Sequence, residues 1–265
     1  MDPLAILQPS PLAGRVALIT GVSRRIGIGF AVARRLAQMG ADLFIQSWSP
    51  FDAAQPWGAD PDGLDAVLEE LRASGRRVEH LAADFRDPTA PARVVQAAQA
   101  AYSQIDILIA NHAYSTMGAL EDLTADEIDA HLEANVRGTL LLVKEWAAHH
   151  DDSRPGGRVI MMTSGQHHVP MPGELAYIAS KGALHQLTMS LAAHLAPRGI
   201  TVNTINPGAT DTGYATPEVY QAVLRSSPMG RWGEPDDAAR LIVWLATDDA
   251  RWITGEVINS TGGMP

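Results

Sequence analysis

Cysteine is absent from this chain of 265 residues, which excludes disulfide bonds, thiolate catalysis and cysteine-ligated metals. Positive charge is scarce, because 20 Lys and Arg residues stand against 30 Asp and Glu residues, and no basic cluster suggests a nucleic-acid surface. No apolar run approaches the ~18 residues of a membrane span. Residues 1–13 lack the basic start and apolar core of a secretory signal, so we expect a cytoplasmic location.

The 46% of hydrophobic residues is an ordinary globular share, and it is distributed in a regular alternation of strand and helix patterns. The predicted strands are residues 16–20, 42–47, 78–84, 107–111, 159–164, 201–206 and 257–259. The predicted helices are residues 27–39, 62–74, 89–102, 125–149, 175–196, 217–226 and 236–246. This succession predicts one doubly wound (Rossmann) α/β domain over residues 14–265, with a seven-stranded, mostly parallel sheet and helices on both faces, after an extension at 1–13.

Residues 48–61 interrupt this rhythm with three prolines and no clear period. A connection of this length in a compact domain is often functional, so Phe51 and Trp57 could form a flap over a ligand. The alternative is a surface excursion that packs on its own aromatic side chains. The sequence leaves both interpretations open.

A glycine-rich turn follows the first predicted strand, with Thr20, Gly21, Gly27 and Gly29 before the helix. Glycines there allow a tight turn and let backbone N–H groups approach a pyrophosphate at the helix N-terminus, where the helix dipole favours anions. Ligands of doubly wound sheets bind at the carboxyl ends of the strands. The turn therefore predicts a phosphate-binding loop at that edge.

Lysine occurs only twice, at Lys144 and Lys181. Lys181 follows Tyr177 by four residues in a strongly helical segment, so both side chains project from neighbouring positions on one face. Because arginine is the usual cation in this chain, we infer that this position requires the compact ammonium group. The alternative is a surface contact between residues one helical turn apart.

Together these features resemble the short-chain dehydrogenase/reductase family, of the kind that includes 3-oxoacyl-[acyl-carrier-protein] reductases. The resemblance extends from residue 14 to residue 263. The matching elements are the turn with Gly21 and Gly27, Asp84, Asn111, Asn135, Ser164, the pair of Tyr177 and Lys181, Asn206-Pro207-Gly208, Thr212 and the tail segments 230–235, 253–255 and 262–263.

The resemblance implies hydride transfer between a nicotinamide and a ketone or 3-oxoacyl group, or a secondary alcohol. It makes Tyr177 the acid/base, lets Ser164 hydrogen-bond the substrate oxygen, and assigns Asn135 to a proton relay through water. It gives Lys181 two tasks, which are to hold the nicotinamide ribose and to lower the pKa of Tyr177. An ammonium ~4 Å away supplies roughly 4 kcal/mol at an effective dielectric near 20, about three pKa units. We therefore expect the pKa of Tyr177 to be lowered.

The resemblance also implies a set of cofactor contacts. They are Gly21, Ser23, Arg24, Arg25, Ile26, Gly27, Asp84, Phe85, Asn111, Ala113, Tyr177, Lys181, Pro207, Gly208, Thr210 and Thr212. An NAD site usually has an acid at the end of the second strand, whereas residues 46–49 have none and the first acid is Asp52. Arg24 and Arg25 can bind a 2′-phosphate, so we predict NADP(H); the alternative is that both point to solvent.

Two departures from the family pattern affect this site. Five residues rather than three separate Gly21 from Gly27, which predicts a larger phosphate loop or a shifted arginine pair. The family's Asn-Asn-Ala-Gly reads Ala110-Asn111-His112-Ala113, which changes local hydrogen bonds and the close approach to the cofactor.

The substrate side is less specific. Gln166 and His167 follow Ser164 at the active edge, and residues 210–229, which include Tyr214, close over substrate in the family. We expect Gln166, His167 and Tyr214 to contact a small carbonyl or alcohol substrate of unspecified identity. By resemblance the chain forms a homo-oligomer, tetramer or dimer, through the helices at 125–149 and 175–196.

Other functions are less consistent with the sequence. His149-His150-Asp151-Asp152 stands at a helix end, where solvated charges are expected, so we predict no metal site. A non-catalytic NADP(H)-binding protein that senses redox state and regulates a partner, or a structural subunit of a larger complex, remains an alternative. Neither would require Ser164, Tyr177 and Lys181 together, so their joint presence favours an enzyme.

Overall fold

The computed structural model describes residues 10–154 and 156–264. The strands of these ranges are β1 (Val16–Ile19), β2 (Asp42–Ser47), β3 (Val78–Ala82), β4 (Ile107–Ala110), β5 (Arg158–Met162), β6 (Thr201–Asn206) and β7 (Val257–Asn259). They form one sheet in the order β3-β2-β1-β4-β5-β6-β7, and every pair is parallel. The predicted doubly wound, seven-stranded α/β domain is confirmed, with a sheet that is parallel throughout.

The helices of the described residues connect these strands. They are α1 (Ile28–Gln38), α2 (Ser49–Ala53), α3 (Gly63–Arg72), α4 (Ala90–Tyr102), α5 (Ala125–His131), α6 (Thr139–His149), α7 (Leu175–Leu195), α8 (Pro217–Ser226) and α9 (Pro235–Ala246). Within the described ranges, none of these helices has both the length and the apolar character needed to cross a membrane.

The sheet is covered on both faces because successive side chains of a strand point in opposite directions. On β1, Ile19 belongs to the core under α1, α3 and α9, whereas Leu18 belongs to the core under α4, α6 and α7. The burial of every β1 side chain explains why the strand reads as a continuous apolar run.

The N-terminal extension also contributes to this packing where it is described. Leu12 is buried, and its N–H donates to the Met39 carbonyl at 2.9 Å. Residues 1–9 of the predicted extension lie outside the described residues.

Two predicted elements differ from the structure. The single helix expected at 125–149 is divided by a π-helical segment, Leu132–Gly138, which we call the π turn. The connection at 48–61 contains the short helix α2, which begins with Ser49 and Pro50. A wider helical turn and a five-residue helix are both too short to alter the apolar periodicity on which the predictions rested.

Candidate active site

A cavity of about 580 Å³ lies at the carboxyl ends of β1 and β4, where the strand order reverses. This switch point is the place where doubly wound sheets bind ligands. The predicted site residues in its wall are Gly21, Ser23, Arg24, Gly27, Asp84, Phe85, Asn111, Ala113, Tyr177, Lys181, Pro207 and Thr212. The cavity therefore joins the predicted phosphate loop to the predicted Tyr–Lys pair.

The phosphate loop is held tightly against the end of β4. Gly21 has a φ of 72°, and a Cβ there would lie 2.8 Å from the His112 Cα. The Asn111 side-chain amide donates to the carbonyls of Thr20 and Gly21, both at 3.1 Å. A Cβ on Gly29 would lie 2.5 Å from the Gly21 carbonyl oxygen. These contacts require glycine and explain the close approach of the backbone to the cavity.

The two arginines of this loop have different partners. Arg24 lines the cavity and donates from its guanidinium to the Thr212 carbonyl at 3.0 Å. The Arg25 guanidinium instead pairs with Asp60 at 2.7 Å and with Asp62, outside the cavity wall. The expectation that both arginines face the cofactor is therefore corrected for Arg25, because two carboxylates hold its guanidinium. Ile26 also lies outside the wall and is about half exposed.

An acidic side chain does reach the cavity near the end of β2, and it belongs to α2. Asp52 lines the wall, and the Trp57 indole N–H donates to its carboxylate at 3.3 Å. Burial raises the pKa of Asp52, while a hydrogen bond with Ser23 and the charge of Arg24 lower it. Asp52 follows the last residue of β2 by five positions in the sequence, and helix α2 directs it back to the cavity wall.

The segment 48–61 forms one side of the cavity. Trp48, Phe51, Asp52 and Gln55 all contribute to the wall. The Phe51 ring lies 5.1 Å from the ring of Tyr114, which follows β4, and 6.5 Å from the ring of Trp57. The segment thus packs on its own aromatic residues and also reaches across to the opposite wall, as a flap requires.

Tyr177 and Lys181 occupy the first turns of α7, and the Lys181 Nζ lies 5.6 Å from the centre of the Tyr177 ring. This ammonium donates to the Met162 carbonyl at 3.1 Å, and burial lowers its pKa to about 8. Burial raises the pKa of Tyr177 above its ordinary value, and a hydrogen bond with Ser164 offsets part of the rise. The expected lowering is therefore wrong for this arrangement, because loss of water around the phenolate dominates.

Asn135 lies in the π turn and is fully buried. Its side-chain amide donates to the Tyr114 carbonyl and to the Ser180 hydroxyl, both at 2.9 Å, and its oxygen accepts from the Tyr114 N–H at 2.7 Å. The Ser180 hydroxyl donates in turn to the Tyr177 carbonyl at 2.7 Å. Asn135 therefore links the end of β4 to the turn of α7 that carries Tyr177.

The turn after β6 supplies Pro207 to the wall. Gly208 has a φ of 66°, and its N–H donates to the Asn206 side-chain oxygen at 3.0 Å. The Thr210 hydroxyl donates to the Pro207 carbonyl at 3.2 Å. Gly208 and Thr210 thus shape the turn from outside the wall rather than lining the cavity.

The predicted substrate residues fall in different surroundings. Gln166 donates to the Thr163 hydroxyl at 3.1 Å. The His167 ring packs at a tilt against His168, with 3.9 Å between ring centres, and contacts the His185 ring edge-on. Tyr214 is partly exposed, and burial raises its pKa to about 12.

Tyr214 is close enough to Tyr177 that its charged form would disfavour the Tyr177 phenolate. Of the three predicted substrate residues, it therefore has the clearest relation to the Tyr–Lys pair. The segment 210–229 that carries it contains α8, over the residues for which a helix is predicted.

Several wall residues were not predicted. They are Gln46, Trp48, Asp52, Arg86, His112, Tyr114, Ala134, Met162 and Thr163, among others. Most stand one to four residues beyond a strand end, so their position relative to β2, β3, β4 and β5 was the available signal. In the ranges that the structure describes, no group of three or more His, Cys, Asp or Glu side chains could hold a metal ion.

The chain is similar to several known oxidoreductases. Residues 21–265 match the family model described as Enoyl-(Acyl carrier protein) reductase. The chain is 40% identical over 251 residues to the uncharacterized oxidoreductase YjdA of Bacillus subtilis, covering 94% of this chain and 96% of that protein. It is 35% identical to an NADPH-dependent aldehyde reductase-like protein, chloroplastic, of Arabidopsis thaliana, covering 96% of each.

A solved structure shows the same fold. The short-chain dehydrogenase from Burkholderia cenocepacia J2315 in complex with NADP is 36% identical, with a TM-score of 0.86, and the match covers 96% of this chain and 99% of that one.

Proposed function

The chain belongs to the short-chain dehydrogenase/reductase family of oxidoreductases, and from that premise we propose that it transfers hydride between NADP(H) and a ketone or 3-oxoacyl group, or the corresponding secondary alcohol. One observation carries the proposal: Tyr177 and Lys181 line the same cavity as the glycine-rich loop. A proton donor and a cofactor cradle that share one cavity are what carbonyl reduction requires.

The residues of the wall fit a dinucleotide. The glycine turn brings backbone close to the cavity, Arg24 offers a cation for a 2′-phosphate, and Lys181 would hold the nicotinamide ribose. Thr212 would meet the carboxamide. The NADP complex of the Burkholderia protein and the NADPH dependence named for the Arabidopsis relative support the choice of cofactor.

The proton chemistry follows from the chain's own side chains. Bound NADPH supplies the hydride. Tyr177 donates its phenolic proton to the substrate oxygen, while Ser164 hydrogen-bonds the same oxygen and stabilises its developing charge. A raised pKa keeps Tyr177 protonated through neutral pH, which suits a proton donor. Asn135 positions the backbone beside Tyr177.

We further propose that the chain self-associates as a homo-oligomer through α5, α6 and α7. Ile128, Leu132 and Met189 expose apolar surface on this side of the molecule. A cytoplasmic location stays a prediction.

Replacing Tyr177 by Phe tests the catalytic assignment. The variant should bind NADP⁺ as the parent does and lose about 10²- to 10⁴-fold in kcat, because the proton donor is removed while the ring remains. Initial rates on a panel of ketones, aldehydes and secondary alcohols, followed by nicotinamide absorbance, measure the loss. Near-parent turnover in the variant would contradict the role. A parent that binds NADPH yet turns over nothing in the panel would instead favour a regulatory dinucleotide-binding protein.

The pH profile tests the electrostatics of Lys181. The ammonium is lost as pH rises through about 8, while Tyr177 stays protonated, so kcat/KM for reduction should fall above about pH 8. In Lys181→Arg the cation remains charged, and the fall should disappear, although the rate is lower. Measuring kcat/KM for the parent and for Lys181→Arg between pH 6 and pH 10 tests this difference. A parent profile that is flat to pH 10 would speak against this assignment.

The two arginines provide a matched pair for cofactor preference. Arg24→Ala should reduce kcat/KM with NADPH by about 10- to 100-fold relative to NADH, since a charge-assisted contact to the 2′-phosphate is lost. Arg25→Ala should affect both cofactors alike, because Asp60 and Asp62 engage that guanidinium. Steady-state kinetics with each cofactor measure the ratio. A marked NADH preference in the parent that survives Arg24→Ala would defeat the NADP(H) assignment.

Phe51→Ala tests whether the segment 48–61 covers the cofactor. Loss of the contact with Tyr114 should raise the dissociation rate of NADPH roughly fivefold, because an aromatic pair contributes about 1 kcal/mol. Stopped-flow displacement of NADPH measures this rate. Trp252→Ala removes an exposed aromatic side chain outside the cavity and serves as the control. An unchanged NADPH dissociation rate in Phe51→Ala would contradict the flap and indicate that segment 48–61 is a surface excursion.

A further inference from the structure

His112 stands where the resembled family has alanine, and its ring bridges two parts of the cavity wall. One ring nitrogen, Nδ1, lies 2.7 Å from the Thr20 hydroxyl, just before the phosphate loop. The other, Nε2, lies 3.1 Å from the carbonyl oxygen of Ala134 in the π turn. The ring also packs on Phe85, with 4.2 Å between ring centres. The side chain thus connects β1, β4 and the helix that carries Asn135.

The partners of His112 favour a proton on Nε2. The Ala134 carbonyl oxygen only accepts, so in this tautomer Nε2 donates to it and Nδ1 accepts from the Thr20 hydroxyl. The Thr139 hydroxyl also lies 3.4 Å from Nε2. The Thr20 oxygen is itself an acceptor for the backbone N–H groups of Asn111 and His112, at 3.0 and 3.2 Å. The Thr20 hydroxyl also lies 3.3 Å from the Ile109 carbonyl, which competes with Nδ1 for its single proton.

This ring is a poor candidate for proton transfer. Burial, reinforced by the nearby charge of Lys181, lowers the pKa of His112 to about 3. Both nitrogens are also engaged by protein groups. The imidazole consequently stays neutral and fixed over the working range of pH, so its contribution must be geometric.

We propose that His112 is a positioning residue that ties the phosphate loop to the π turn, so that the cofactor cradle and the Asn135–Ser180–Tyr177 connection keep a fixed relation. This inference rests on the proposed function and adds a residue to it. The Nδ1 contact acts on the loop and hence on cofactor binding. The Nε2 contact acts on the π turn and hence on the chemical step, through Asn135 and the turn of α7 beyond it.

Three substitutions separate the two contacts. An asparagine amide reaches the place of Nδ1 but not that of Nε2, and a glutamine amide reaches the place of Nε2. Phenylalanine keeps the ring against Phe85 and loses both hydrogen bonds. The measurements are kcat with a carbonyl substrate, the dissociation constant of NADP⁺ by calorimetry, and the thermal midpoint of each variant.

The expected pattern is a split between binding and turnover. His112→Asn should keep the NADP⁺ dissociation constant within about twofold and lower kcat roughly five- to tenfold, the size of one hydrogen bond. His112→Gln should keep kcat and weaken NADP⁺ binding by a similar factor. His112→Phe should show both losses. A role limited to packing would lower the thermal midpoint of all three without such a split.

Failure of the role proposed for His112 can be distinguished from failure of the proposed function. Absence of nicotinamide-dependent turnover in the parent itself would contradict the proposed function. With an active parent, folded Asn and Gln variants that share one pattern of kcat and dissociation constant would overturn the role of His112, even if the Phe variant does not fold.

Discussion

The close approach of the phosphate loop to the end of β4 governs the geometry of the whole site. Gly21 and Gly29 have no space for a Cβ, and the Asn111 amide bonds the two carbonyls of the loop. Because the contact fixes β1 against β4 at the point where the strand order reverses, it also fixes the floor of the cavity. Every other wall element is positioned relative to this floor.

Burial then sets the chemistry of the groups above the floor. Tyr177 and Lys181 both lose water, and each shifts toward its neutral form, the phenol to a higher pKa and the ammonium to a lower one. From the sequence, desolvation was expected to offset only part of the attraction between the Tyr177 phenolate and the Lys181 ammonium. The Met162 carbonyl that accepts a hydrogen bond from this ammonium could not be predicted. Burial depends on the complete fold, so it cannot be predicted from the four-residue spacing of Tyr177 and Lys181.

The architecture followed from local patterns, because buried parallel strands read as apolar runs and glycine or proline marks their ends. The predicted cofactor contacts came from the family resemblance rather than from these patterns, and 12 of the 16 line the cavity. The predictions failed where partners are distant in sequence. Asp60 lies 35 residues from Arg25 and takes its guanidinium, and the short helix α2 returns Asp52 to the cavity. The roles of the site residues stay predictions.

The scarcity of lysine has a practical consequence for handling the protein. Lys144 on α6 is 70% exposed, whereas Lys181 is 3% exposed inside the cavity. Among side chains, an amine-reactive reagent therefore meets one accessible lysine, and it lies outside the cavity wall. A dye attached at Lys144 would therefore leave the side chains of the cavity wall unmodified.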